Sequence, residues 1–349
     1  GMRTGCGGCT DRRPVSPLLS AGLTISGGVQ MQALREQKML NQMPALGKQN
    51  TLNQKMKNYL FCYAGLFPVI VLFVLLRIYP MFSTIRLSFF NWNLIKPFKP
   101  FVGLANYINI FKDHLFLLAI RNTTIFAFAT VIIGIVLSLA LAVALNKSSK
   151  LSGFYQVIYF LPVITPMVPV SVIWKWIYDP GYGLLNYFLS FFGIEPIGWL
   201  MYPNLALISI IMMCIWKNLG YNMVMFLVGL KAISRQYYEA AAIDGANKWQ
   251  SFLYITLPLL KPILMYVFIT STIDAFNIFT PVYVMTTGSQ GAPGNAVRTL
   301  VFNIYEDGFR YFKMGYASSQ AVILLLIVMF FTLVQLKLFK GEEAGSSLQ

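Results

Sequence analysis

The sequence predicts an all-α polytopic membrane protein with six transmembrane helices. Its mean hydropathy is +0.63, and only 11% of its 349 residues are charged, against about a quarter in soluble domains. Six runs of roughly 20 mostly apolar residues occur, long enough to cross the hydrocarbon layer at about 1.5 Å of rise per residue. A β-barrel would show alternating segments of about ten residues, whereas these runs are continuously apolar.

Residues 1–57 are rich in Gly, Ser, Gln and Lys without a sustained apolar period, so a flexible cytoplasmic segment is expected. No signal-peptide pattern appears. The first run is therefore expected to be a retained signal anchor, with residues 1–30 a leader artefact before a start at Met31. Cys6 and Cys9 lack a second ligand pair and His114 stands alone, so no metal site is expected. Cys62 and Cys214 fall in apolar runs, where a thiol packs as a small apolar group.

Residues 58–340 hold the six-helix domain. Its first run is Tyr59–Pro80, followed by an aromatic, basic outer loop, Ser88–Leu117, with Trp92 and Tyr107 suited to the membrane interface. The second run, Ile120–Leu145, connects through "NKSSKLSG" to the third, Phe154–Ile177, a link short enough to force an antiparallel hairpin. Pro162, Pro166 and Pro169 in that third run each remove a backbone donor and bend the helix. Freed carbonyls in lipid need neighbours or water, so this span is expected beside a pathway. The next outer loop contains an apolar stretch too short to span, expected as an interfacial or re-entrant helix. The remaining runs are Asn204–Leu230, Leu259–Val284 and Gly315–Phe339. A glycine-rich stretch between the last two is expected to move, and 341–349 is a short tail.

Lys and Arg are more numerous on the side that includes the N-terminus, which places the N-terminus in the cytoplasm. The formal net charge of +15 fits basic flanks for insertion and lipid contact, so no nucleic-acid partner is expected. The outer side also carries more bases than acids. That leaves three readings: an anionic cargo, an acidic docking partner, or lipid headgroups.

Between the fourth and fifth runs, in the cytoplasm, lies "YEAAAIDGANKWQSFLYITLPLLKP". Alanine and glutamate favour a helix from Arg235 to Asp244, and Gly245 can take positive φ and end it. A second helix is expected near Lys248, and Pro258 marks the start of the fifth span. The result is a helical elbow over 235–250 with an alanine face that lets another backbone approach. Glu239 and Asp244 offer carboxylates to that partner.

Here the sequence resembles the ABC importer permeases. Their cytoplasmic signature, Glu-Ala-Ala, three residues, Gly, nine residues, Ile-x-Leu-Pro, is matched without a gap at Glu239, Ala240, Ala241, Gly245, Ile255, Leu257 and Pro258. Further stretches, among them "FVGLANY", "FLPVITPMVPVSVIWKWIYDPGYGLLN" and "IWKNLGYNMVMFLVGLKAISRQYYEAAAIDGA", resemble the carbohydrate branch that includes the maltose and glycerol-phosphate permeases. The resemblance covers roughly residues 55–340. It implies a bacterial inner-membrane permease that pairs with a second homologous permease and two ATPase subunits. A solute-binding protein would deliver a sugar or oligosaccharide, and the elbow would be the coupling helix that seats in the ATPase. Unlike the maltose subunit, residues 1–349 are expected to hold no extra N-terminal helices and no large outer domain.

Polar side chains inside membrane helices are costly and face a cavity or one another. Thr270, Asp274 and Asn277 share a face at i, i+4 and i+7, and Cys214, Asn218, Tyr221 and Asn222 nearly do so on the fourth run. In the maltose-like permeases these helix regions bind sugar. The resemblance therefore implies Trp216, Asn218, Tyr221, Thr270, Asp274 and Asn277 as contacts, with Trp216 or Tyr221 stacking on a pyranose. Asp274 departs from a neutral amide and has two readings: it accepts bonds from a hydroxylated cargo, or it pairs with Lys217. No GxxxxGK[ST] phosphate loop occurs, so ATP and Mg are expected on partner ATPase subunits and no catalytic residue in this chain. Two rivals are a permease for glycerol phosphate or another small anion, and a polytopic membrane enzyme. The enzyme would need clustered acids or histidines that the sequence lacks.

Overall fold

The computed structural model describes residues 59–95, 98–146, 150–286 and 295–340, with Arg35, Gln37, Lys38, Met56, Lys57 and Pro293. The expectations for residues 1–30, the "CGGC" pair, Met31, residues 147–149 of the "NKSSK" turn, the glycine-rich stretch near 287–292 and the tail 341–349 lie outside the described residues. The chain divides into two compact units, 1–77 and 78–349. In the first, the helix α1 (Tyr59–Leu87) begins with exposed apolar side chains such as Phe61 and Phe67.

The second unit is helical. After α2 (Ala105–Lys112) come α3 (His114–Leu145), α4 (Lys150–Ile164) and α5 (Met167–Ile177), followed by the short α6 (Leu184–Ser190). Then come α7 (Pro203–Ala232), α8 (Arg235–Ile243), α9 (Lys248–Ser251), α10 (Lys261–Phe276), α11 (Thr280–Thr286), α12 (Leu300–Tyr305) and α13 (Met314–Lys340). Five helical stretches are long and apolar enough to span a membrane, and α4 with α5 makes a sixth if that bent pair is one span. The six-span expectation holds in that form. α6 is the brief apolar helix expected in the second outer loop.

α3 starts at His114 rather than Ile120 because the Asp113 carboxylate accepts from the Leu115 backbone N–H at 2.9 Å, and a capped first turn is stable further upstream. α3 packs along α7, and both contact α10. Their facing sides are buried, with Phe126, Ile210, Met213 and Phe226 at 1% exposure or less. α4 approaches α7 closely. A Cβ at Gly220 would fall 2.0 Å from the Tyr159 carbonyl oxygen, so only glycine permits this crossing, as small residues do in membrane helix packing.

The third expected span is broken. α4 and α5 meet at a bend of 101° across Thr165 and Pro166, where Pro166 takes an extended ψ of 149°. The fifth expected span is interrupted too, since α10 ends at Phe276 and α11 resumes at Thr280.

A buried polar network ties the last loop to α13. Arg298 donates to Asn303 and Glu306, and Arg310 donates to Glu306 at 2.8 Å. Gln320 bridges Asn303 and Asp307 at 3.1 and 2.7 Å. Burial pushes the Asp307 carboxyl above the ordinary carboxylate range, against the opposing pull of the Gln320 hydrogen bond and Lys313. Asn122 on α3 donates to the Arg298 carbonyl at 3.1 Å, so the loop is anchored on two sides.

Candidate functional site

Two places fit the expected sites: a cavity among α3, α7 and α10, and the elbow made by α8 and α9.

The cavity has a volume of about 290 Å³. Asn218, Tyr221, Thr270 and Asp274 line it, together with Lys217 and Asn222. The Tyr221 and Tyr266 hydroxyls are 3.2 Å apart, which links α7 to α10 at its rim. Asn222 Nδ2 reaches the Ser271 hydroxyl at 3.5 Å. The helical spacing read from the sequence thus brings four of the six expected contact residues together.

Trp216 and Asn277 do not join them. At about 100° per residue, Trp216 lies about 140–160° around the helix from Asn218 and Tyr221, and its ring packs edge-on against Trp174 at 5.3 Å. Asn277 falls at the end of α10, where its amide donates back to the Ile273 carbonyl at 2.8 Å and finishes the helix. The interruption of the fifth span, unreadable from a continuous apolar run, explains the placement of Asn277, and the angle around α7 explains that of Trp216.

The expected alternative pairing of Lys217 with Asp274 is not formed. The Lys217 ammonium donates to the Pro162 and Thr165 carbonyls at 3.0 and 2.8 Å. Asp274 therefore has a carboxylate free of that partner, exposed on the cavity side of α10. Chemically the cavity offers amides, hydroxyls, one cation and one anion. It suits a ligand rich in hydroxyl groups, which both donate and accept.

The elbow forms as its residues dictate. The Ser234 hydroxyl accepts from Gln236 N–H at the start of α8. At its end Gly245 takes φ +75°, with Gly245 N–H bonded to Ala242 O at 3.2 Å and Ala246 N–H to Ala241 O at 2.9 Å. These are the paired bonds of a Schellman ending. α9 opens with a reciprocal capping box between Asn247 and Gln250, a signal the sequence carries as Asn-x-x-Gln. The Tyr238 and Thr256 hydroxyls, 2.9 Å apart, tie the two arms together.

The elbow presents part of the alanine face expected of it. Ala241 is turned inward at 8% exposure, whereas Ile243 is 87% exposed. Glu239, Ala240, Ala242, Asp244 and Gly245 are exposed. The open surface therefore mixes an isoleucine and two carboxylates with three small residues. Among the described residues no group of three or more His, Cys, Asp or Glu is placed to hold a metal ion.

A family model described as "Binding-protein-dependent transport system inner membrane component" matches residues 131–340. The chain is 34% identical over 292 residues to the probable ABC transporter permease protein YurN of Bacillus subtilis (strain 168), covering 82% of this chain and 99% of that one. It is also 34% identical to the trehalose/maltose transport system permease protein MalF of Thermococcus litoralis, covering 79% of this chain and 92% of that protein. Its fold matches a crystal structure of a bacterial ABC transporter involved in the import of the acidic polysaccharide alginate. The TM-score there is 0.73 at 22% identity, over 83% of this chain and 98% of that chain. With spans, cavity and elbow in this arrangement and relatives of this similarity along most of its length, the chain belongs to the inner-membrane permeases of binding-protein-dependent ABC importers.

Proposed function

We propose that this chain is one of two permease subunits that together form the translocation pathway for a sugar or oligosaccharide. The single observation that carries this reading is a polar, water-accessible face in the middle of membrane spans. Asn218, Tyr221 and Asp274 are exposed there and border the cavity. A carboxylate and an amide facing hydrocarbon would each cost several kcal/mol, so this face belongs to an aqueous path shared with a second homologous permease. Asn, Tyr, Thr and Asp are suited to sugar hydroxyls, and the cargo named for the Thermococcus relative is trehalose or maltose.

The remaining parts follow from this. A solute-binding protein delivers the cargo at the outer face. Two ATPase subunits bind ATP and Mg, and this chain itself catalyses nothing. The elbow is the coupling helix on which an ATPase subunit pulls. Its support is Ile243, almost fully exposed beside Glu239 and Asp244, because an isoleucine held in water on a structured elbow gains by being covered. The N-terminus is cytoplasmic and the complex sits in the bacterial inner membrane. ATP drives alternation only if the inward and outward states bind cargo with different affinity.

Uptake by the assembled transporter in proteoliposomes tests the cargo, with neutral and uronate oligosaccharides and glycerol phosphate as competing solutes. Saturable uptake of an oligosaccharide that Asp274→Ala weakens supports the proposal. Uptake of glycerol phosphate alone overturns it.

A further inference from the structure

The strongest unexplained feature is Lys217, a lysine 9% exposed inside the membrane-spanning helix α7. No carboxylate of the described residues lies within ion-pair distance of it. Its ammonium instead donates to two backbone carbonyls of another span, those of Pro162 at 3.0 Å and Thr165 at 2.8 Å.

These two carbonyls share a property: neither has a helical donor. In an α-helix each carbonyl accepts from the N–H four residues later. The residue four after Pro162 is Pro166, and proline has no N–H. The Thr165 carbonyl lies between α4 and α5, where the 101° bend takes it out of either helix. Lys217 bonds to both. In hydrocarbon such groups need another partner. An ammonium has three donors, so it satisfies both carbonyls and keeps one N–H for the cavity that Lys217 also lines.

We propose that Lys217 is a positioning residue for transport: it fastens the broken third span to α7 and holds the bend that makes Met167, the first residue of α5, part of the cavity wall. Gly220, one turn further along α7, admits the Tyr159 carbonyl at a distance no side chain tolerates, so the two helices are already close enough for the lysine to reach. The inference does not depend on the identity of the cargo. It makes the proline pair and the lysine a single device, in which the prolines create the break and the lysine stabilises it.

The test is a double-mutant cycle on the full chain in its assembled transporter. Lys217→Met is made in the natural background and in a Pro166→Ala, Pro169→Ala background, where the span is free to continue as one helix and offer both carbonyls an N–H four residues on. The melting temperature should fall with Lys217→Met in the natural background, and at least about half of that fall should vanish in the alanine background. Lys217→Arg, which keeps the donors, should stay near the parent. If Lys217→Met fails to assemble at all, its recovery in the alanine background supports the proposal and its continued failure overturns it. An equal fall in both backgrounds also overturns it.

A second readout reports the bend itself. Spin labels at Phe154→Cys and Trp176→Cys, with the native cysteines replaced, would lie about 33 Å apart on a straight helix at 1.5 Å per residue. The 101° bend shortens that by about a third. Lys217→Met should broaden the distribution towards the longer distance and Lys217→Arg should not. An unchanged distribution in Lys217→Met overturns the positioning role even if stability is lost.

Discussion

A carboxylate inside a membrane span is the most informative single residue of the cavity. Asp274 has no ion pair with Lys217, and its burden is to be solvated by water or by cargo. A hydrogen bond to a charged group is worth about 1.5–3 kcal/mol, so Asp274→Ala should raise the half-saturating cargo concentration by about tenfold or more. Asp274→Asn, which keeps an acceptor, should cost less. Concentration dependence of uptake at fixed ATP measures both. Arg298 makes a different prediction, since it acts on stability. Removing it leaves the Glu306 carboxylate, 5% exposed, with the exposed Arg310 as its remaining cation among the described residues. Arg298→Ala should therefore destabilise by about 3–5 kcal/mol, the range for breaking a buried pair, seen as a lower melting temperature in detergent.

At the scale of elements, the elbow shows how much local chemistry decides. Gly245 was legible as a helix stop because alanine-rich sequence followed by glycine is a common ending, and its φ of +75° with two paired bonds agrees. A side chain there costs about 1–2 kcal/mol in left-handed geometry. Gly245→Val should accordingly loosen α8 and lower uptake per ATP hydrolysed, while ATPase assembly persists. Glu239→Ala should lower the same ratio without changing the helix. The ratio of transported cargo to released phosphate in proteoliposomes checks both, and normal ratios in both variants would refute the coupling role. The orientation of α8 was less legible. Ala241 turns inward and Ile243 outward, because the elbow's packing against the bundle, rather than its own composition, chooses the buried face.

For the whole molecule, the decisive pattern is where polarity is exposed. Apolar side chains such as Phe128, Ile132 and Phe330 are open on the outside of the spans, as lipid requires, while Asn218, Tyr221 and Asp274 are open on the cavity side. That polar side should adjoin the second permease. In the assembled importer, Asp274→Cys in a background without native cysteines should react with a membrane-impermeant maleimide and be protected by cargo. It should also cross-link through a short bifunctional reagent to the partner permease. Labelling that ignores cargo, with no cross-link, would argue against a shared pathway.

Amino-acid order alone determined where the apolar runs lie, the elbow with its glycine stop, and the helix faces that carry Asn218, Tyr221, Thr270 and Asp274, because these depend on periods of a few residues and on local backbone preference. Tertiary structure alone decided that Trp216 points to Trp174 and that Asn277 ends a helix. It also decided that Lys217 serves two carbonyls at the break of another span rather than Asp274. The reason is physical. Those outcomes depend on which helix lies beside which, and residues 162 and 217 meet only through packing that no local pattern encodes.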